Sequence, residues 1–490
     1  MTFRLMRPRP PCGGETERGV ATGDMLTVAP AVHMRNRFAG TLETLVLVVT
    51  LFFTLATTAL ATTIEVTSPK GLKVWLVEDH TSPLLTLGFR FAGGSAQDPP
   101  GKEGLAHLAA EMFFQGAGNQ QADDYLQSWN ELGAEVTVDA RVESLRGTLK
   151  VLTRDRDKAV RLLAMAVQTP RADTDALEQV RDQVLAEIDR DATDPETIAF
   201  GTYSQMTYGV HPLARPINGT RASIATIDAA DILMYRSQMQ TRGGLALSAV
   251  GDITPMDLGL IVDKVFAALP VQNHVRPVPA PQPAAASRSD LPMQAAQAQV
   301  VFGVSLPHLS AREQLAAELL NYTLGGSPFT SRLYRQVREQ RGLAYAIGTT
   351  FDTYSFGNEL TGSFGSQPDT VEEAIGLVRE EFARLASQGP ADAEVEEAKA
   401  ALAGQYLRGL IKQIELANEL TLRMGQGQTA DFIDSYAKRR AAITPDEVRA
   451  FARSLPWLER LTVVTVGARG APGSVAAERS RLHAPPAQEP

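Results

Sequence analysis

Two residues four apart raise the first question of chemistry. In Gly104-Leu-Ala-His-Leu-Ala-Ala-Glu-Met-Phe-Phe-Gln-Gly116 the spacing predicts a short helix, with His107 and Glu111 standing one turn apart. An imidazole and a carboxylate so placed are a pair with which a helix can give two ligands to one metal ion. Next to the glutamate stands Ala110, whose methyl group has no proton to move.

Alternating apolar positions predict half-buried strands at 71–78 and 84–91, before this helix, and a hairpin of longer strands is expected at 134–140 and 143–151. Helical spacing follows at 123–132, 155–167 and 175–191. Asp228 is an N-cap for a helix carrying Ile232, Leu233 and Tyr235, and a strand (245–250) and a helix (256–269) close this half. Residues 277–295 turn to Pro-Val-Pro-Ala-Pro-Gln-Pro-Ala, a proline-rich linker poorly able to pack.

Beyond it the pattern repeats. Ile227-Asp-Ala-Ala-Asp-Ile-Leu matches Ile443-Thr-Pro-Asp-Glu-Val-Arg, and Leu247-Ser-Ala-Val-Gly251 matches Val463-Val-Thr-Val-Gly467 at the same offset. Lys158-Ala-Val-Arg-Leu-Leu resembles Glu373-Ala-Ile-Gly-Leu-Val. Thr444 with Glu447 forms a capping box. Three matches in one order predict an α+β chain of two homologous domains, each a mostly antiparallel sheet packed with helices. The expected division is 62–276, the linker 277–295, 296–470, and a loose tail at 471–490.

The 490 residues are 44% apolar and 21% charged, with net charge −9, a folded and acidic composition. No basic run is present, which argues against nucleic-acid binding. Arg35 and Arg37 precede an apolar run from Thr44 to Ala56, followed by Ala59-Leu-Ala61. That order predicts an N-terminal extension and signal peptide over 1–61, cleaved after about Ala61, and an exported, periplasmic chain that meets a membrane only through this segment. The single cysteine, Cys12, precedes the apolar run, so the exported chain has no disulfide or thiol chemistry.

With these residues in view, the chain resembles the pitrilysin/insulinase family of zinc peptidases, whose inverted motif is H-x-x-E-H. The resemblance covers nearly all of the chain from about Thr62 to Gly467. Against the family pattern, His107 is the first ligand, Ala110 replaces the general base, Glu111 replaces the second histidine, and Glu187 matches the third ligand. The segment from Tyr208 to Gly219 resembles a further family stretch. Loss of a general base costs about 10²–10⁴ in rate, so the resemblance implies a degenerate zinc site. His107, Glu111 and Glu187 remain candidates for an atypical His-Glu-Glu metal site, a harder donor set than the usual one.

A second family motif is whole: Gly325-Gly-Ser-Pro-Phe-Thr-Ser-Arg-Leu-Tyr-Arg-Gln-Val-Arg338-Glu-Gln-Arg-Gly-Leu-Ala-Tyr345. The resemblance implies that Arg338 and Tyr345 point into a substrate chamber and donate hydrogen bonds to an extended peptide. It also implies a domain pair enclosing half of that chamber, and a homologous partner that carries H-x-x-E-H and the zinc. The expectation is a non-catalytic, substrate-binding subunit. The alternatives are a self-sufficient metallopeptidase using Glu103 or Glu111 as a displaced base, and a peptide-binding scaffold with no catalytic role.

Overall fold

The computed structural model describes residues 62–282, 284–455 and 457–467. The expected export segment and C-terminal tail lie outside the described residues. The first half runs β1 (Ile64–Thr67), β2 (Lys73–Glu78), β3 (Leu84–Ala92), α1 (Leu105–Glu111), α2 (Ala122–Leu132), β4 (Glu135–Ala140) and β5 (Ser144–Leu152). Helices α3 (Arg156–Gln168), α4 (Thr174–Asp191), α5 (Pro195–Tyr208) and α6 (Ala229–Met239) follow, then β6 (Leu245–Gly251) and α7 (Pro255–Phe266). The second half runs β7 (Ser287–Leu291), β8 (Ala298–Leu306), α8 (Ala311–Asn321), β9 (Ala344–Tyr354) and β10 (Gly357–Ser366). It ends with α9 (Val371–Ser387), α10 (Asp392–Gly409), α11 (Gln413–Gly425), α12 (Phe432–Ala441), α13 (Pro445–Ser454) and β11 (Thr462–Val466).

The first sheet has the order β1-β2-β6-β3-β5-β4 and the second β7-β11-β8-β10-β9. Leaving β1 aside, the two orders correspond strand for strand. Each opens with a parallel pair, β2/β6 or β7/β11, and continues antiparallel to the far edge. The matched sequence segments occupy matching places: α6 and α13 both start on capping boxes, at Asp228 and Thr444, and lead into β6 and β11.

Two sequence expectations change. The proline-rich stretch expected not to pack contains β7, because Ser287–Leu291 finds the open edge of β11 and pairs with it in parallel. The strands expected to be half-buried are buried on both faces: Val74 to Val77 of β2 and Leu85 to Phe89 of β3 have no open side. One face packs on the half's own helices. The other is covered by a helix from the opposite half.

That cover is reciprocal. Ala417 and Leu420 of α11 pack on Trp75, Val77 and Val250 of the first sheet. Ala199 and Tyr203 of α5 pack on Val301, Val464 and Val466 of the second. Close approach needs glycine beneath each helix. A Cβ at Gly88 would stand 3.1 Å from the Ala417 carbonyl oxygen, and one at Gly303 would stand 2.6 Å from the Tyr203 hydroxyl. Ser248 Oγ donates to the same Ala417 oxygen at 2.8 Å. Burying each large apolar side chain at these crossings contributes about 1.5–3 kcal/mol. No helix among the described residues is long and apolar enough to cross a membrane.

Candidate functional site

Helix α1 is only seven residues long and starts on Gly104, held at φ 91°. A side chain there would strike Ile224 and the Asn218 carbonyl. A carboxylate from outside the helix caps it: Asp98 accepts from the Gly104 and Ala106 N–H groups at 2.9 and 3.0 Å. Burial pushes this carboxyl up to about 7, against the pull of those two N–H groups. The stretch from Tyr208 to Gly219 buttresses the same turn. Arg215 Nη1 donates to the Asp98 carbonyl, and a Cβ at Gly219 would lie 2.3 Å from the Glu103 carbonyl oxygen.

On this anchored helix, Ala110 is fully buried and belongs to the core beneath the first sheet, together with Phe113 and Phe89. The position at which the resemblance expects a general base holds a methyl group in an apolar cluster. His107 is half-buried, and its Nε2 is buried without a hydrogen-bond partner among the described residues. Glu111 is on the open side of α1. Desolvation raises its pKa, opposed by His107 and assisted by the charge of Glu187 on α4. Glu187 itself lies 3.7 Å from Arg190. Glu103, the other candidate base, accepts from the Gly101 N–H at 3.0 Å.

These donors do not fit a catalytic zinc centre, which needs three convergent ligands, an open position and a carboxylate to take a proton from water. One imidazole and two carboxylates are present, one of them beside an arginine. Among the described residues no group of three His, Cys, Asp or Glu side chains is arranged to hold an ion. The α1–α4 corner brings Glu111 and Glu187 into electrostatic range of each other and supplies no proton-transfer group at Ala110.

The second motif is built differently. Helix α8 continues into a π-helical turn at Tyr322–Gly326, and a second π-helical turn at Tyr334–Glu339 carries Arg338. Such turns recur at functional sites because they displace side chains from regular helical positions. The Arg338 guanidinium lies 4.8 Å from the centre of the Tyr345 ring and 5.0 Å from that of Tyr334. Phe329 meets Tyr334 edge-on at 5.7 Å. Among the described residues the contacts of this guanidinium are the Tyr345 and Tyr334 rings. Its N–H groups are therefore left for an incoming acceptor, while the two rings fix its plane.

Tyr345 does not sink into the core; it is 79% exposed. A bulge explains its direction. Ala344 faces Ser366 and Ile347 faces Phe364, so Tyr345 and Ala346 together oppose the single residue Gly365. The extra residue re-aims the side chain at the start of β9, which is the edge strand of its sheet. Sequence reasoning found Arg338 and Tyr345 but missed Tyr334 and Phe329. The four-residue step from Tyr334 to Arg338 was the available signal.

A buried acidic group at the seam between the halves was also missed. Glu359 of β10 stands opposite Asp352 of β9 and faces Tyr203 and Tyr208 from α5. Its Oε1 and both phenolic hydroxyls are buried without a hydrogen bond of normal geometry among the described residues.

Two halves of one strand order, each a sheet backed by helices, define an α+β chain of peptidase fold. It belongs to the insulinase family of peptidases, family M16. Residues 73–221 match the model of insulinase (peptidase family M16), and residues 226–402 match that of the peptidase M16 inactive domain. Relatives include an uncharacterized zinc protease of Mycobacterium leprae, 26% identical over 404 residues, covering 79% of this chain and 88% of that one. A non-peptidase homolog of Helicobacter pylori is 25% identical over 328 residues, 67% of this chain and 76% of its own. The crystal structure of a peptidase M16 inactive domain from Pseudomonas fluorescens has the same fold, with TM-score 0.79 at 24% identity over 84% of this chain and 98% of that one.

Proposed function

We propose that this chain is a non-catalytic, substrate-binding subunit of a heterodimeric zinc peptidase, and that its halves descend from one duplicated domain. The observation that carries the reading is the contrast between its two motifs. The base position is a methyl group buried in the core, whereas Arg338 forms no ion pair among the described residues, is held between two tyrosine rings and lies near β9, the edge strand of its sheet. An edge strand offers unpaired N–H and C=O groups to an extended peptide. Arg338 adds donors to a peptide carbonyl, and Tyr345 adds a phenolic donor. The zinc and the general base come from a homologous partner subunit with an intact H-x-x-E-H, and the two chains enclose the chamber between them. Export to the periplasm, from the segment 1–61, is part of the same proposal.

The test is reconstitution. The purified chain alone hydrolyses no peptide, and addition of an H-x-x-E-H homologue from the same source restores cleavage. Arg338→Ala or Tyr345→Phe lowers the restored rate at least tenfold with the complex still assembled. Full activity from the double variant refutes the assignment. Stoichiometric zinc in the isolated chain, with activity lost on Glu187→Gln, would establish a site of its own instead.

A further inference from the structure

Farther along the strand that carries Tyr345 lies a cleft of about 280 Å³, open to solvent. Its floor is the face of β9 and β10 at Gly348, Thr350, Thr361 and Ser363. The glycine-rich turn at Gly326 walls one side, and Phe200, on α5 of the opposite half, contributes to the lining. No charged side chain lines it. The volume is just below the range of small-molecule pockets and suits one large side chain.

Gly348 is the informative residue. Glycine inside a strand weakens it, and its presence marks a bulge, a bend or a close approach. Packing explains two neighbouring glycines: a Cβ at Gly325 would lie 2.6 Å from Thr349 Oγ1, and one at Gly362 would lie 2.4 Å from the Phe302 ring. Nothing comparable explains Gly348. Its backbone is not in the left-handed region, and a Cβ there would meet only the Gly325 carbonyl, at 3.7 Å. The space above it is empty because the residue is glycine.

Gly348 stands three residues beyond Tyr345 on the same strand, about 10 Å at the usual rise. Building on the proposed peptide-binding role, we infer that this cleft is a side-chain pocket for an aromatic residue of the peptide. That residue lies about three positions along the extended chain from the one held by Arg338 and Tyr345. Glycine backbone at Gly326 and Gly348 admits a flat ring, Phe200 offers it an aromatic neighbour, and the hydroxyls of Thr350, Thr361 and Ser363 leave the floor uncharged. Carboxylates and ammonium groups find no counter-charge there and are disfavoured.

The experiment uses the full chain and fluorescein-labelled alanine–serine peptides of about twelve residues, each with one central Phe, Asp, Lys or Ala, read by anisotropy. Wild type binds the Phe peptide about tenfold more tightly than the Ala peptide, and the Asp and Lys peptides no better than Ala. Gly348→Val, a strand-favouring change whose Cβ would meet nothing closer than the Gly325 carbonyl at 3.7 Å, abolishes the Phe preference. Phe200→Ala reduces the same ratio, and thermal melting confirms that both variants fold. A Phe-to-Ala ratio of one in wild type, or a ratio unmoved by Gly348→Val, overturns the pocket alone. Failure of every peptide to bind wild type overturns the peptide-binding role and the pocket together.

Discussion

Glu359 is a carboxyl group with little to stabilise its charge. Burial pushes it up to about 7, Asp352 across the strand pair opposes ionisation, and only the Tyr203 and Tyr208 hydroxyls pull the other way. Its unfolded-state value is near 4.5, so between pH 4.5 and 7 the folded chain holds a proton that the unfolded chain has released. Stability therefore falls as pH rises through that window and stays at the lower level above it. The difference is about 3 kcal/mol. Glu359→Gln, which is neutral throughout, should melt with the wild type near pH 4.5 and above it at pH 8. Parallel melting curves for the two proteins across this range would show that Glu359 ionises freely. At this scale the sequence was informative where a family motif could be matched: Ala110 and the Arg338/Tyr345 pair were singled out by that resemblance, not by spacing, and the structure brings the two side chains of the pair together. Glu359 was not legible in this way, because its environment comes from α5 and β9, which approach it only in the folded chain.

At the scale of elements, the crossing helices are the least legible feature. The amphipathic spacing of α3 and α4 was visible because each presents one apolar stripe, α3 to the first sheet and α4 to helices α1 and α6. Helix α5 escaped detection because its apolar residues face the other half while its polar Tyr203, Thr207 and Tyr208 are buried with them. Strand alternation was blurred for the same reason: covering the second face of a sheet replaces the polar positions with apolar ones. Leu420 is wholly buried where α11 meets the first sheet. Leu420→Ala should cost about 2–5 kcal/mol, measured by chemical denaturation, although the residue belongs to the second half. A loss below 0.5 kcal/mol would mean that this crossing contributes little. Strand β7 makes the parallel point for linkers: composition predicted poor packing, but an open strand edge decided the matter.

For the molecule as a whole, reciprocal cover makes two topologically separate sheets one thermodynamic body. Neither half can unfold without baring a face of the other, so calorimetry should give a single endotherm whose van't Hoff and calorimetric enthalpies agree. Two resolved endotherms would show the halves to be independent. The matching strand order of the two halves was legible because recurring segments held their order, whereas the exchange of helices left no local signature. It also sets a timetable. The elements of the first half are all made once Phe266 has been added, yet the helix that roofs Trp75, Val77 and Val250 is finished only at Gly425. At ordinary elongation rates that interval lasts roughly 10–30 s. During it the nascent first half carries an oily, unroofed sheet. A ribosome stall before Gly425 would leave a product prone to self-association, and the last third of the message governs whether the first half stays soluble.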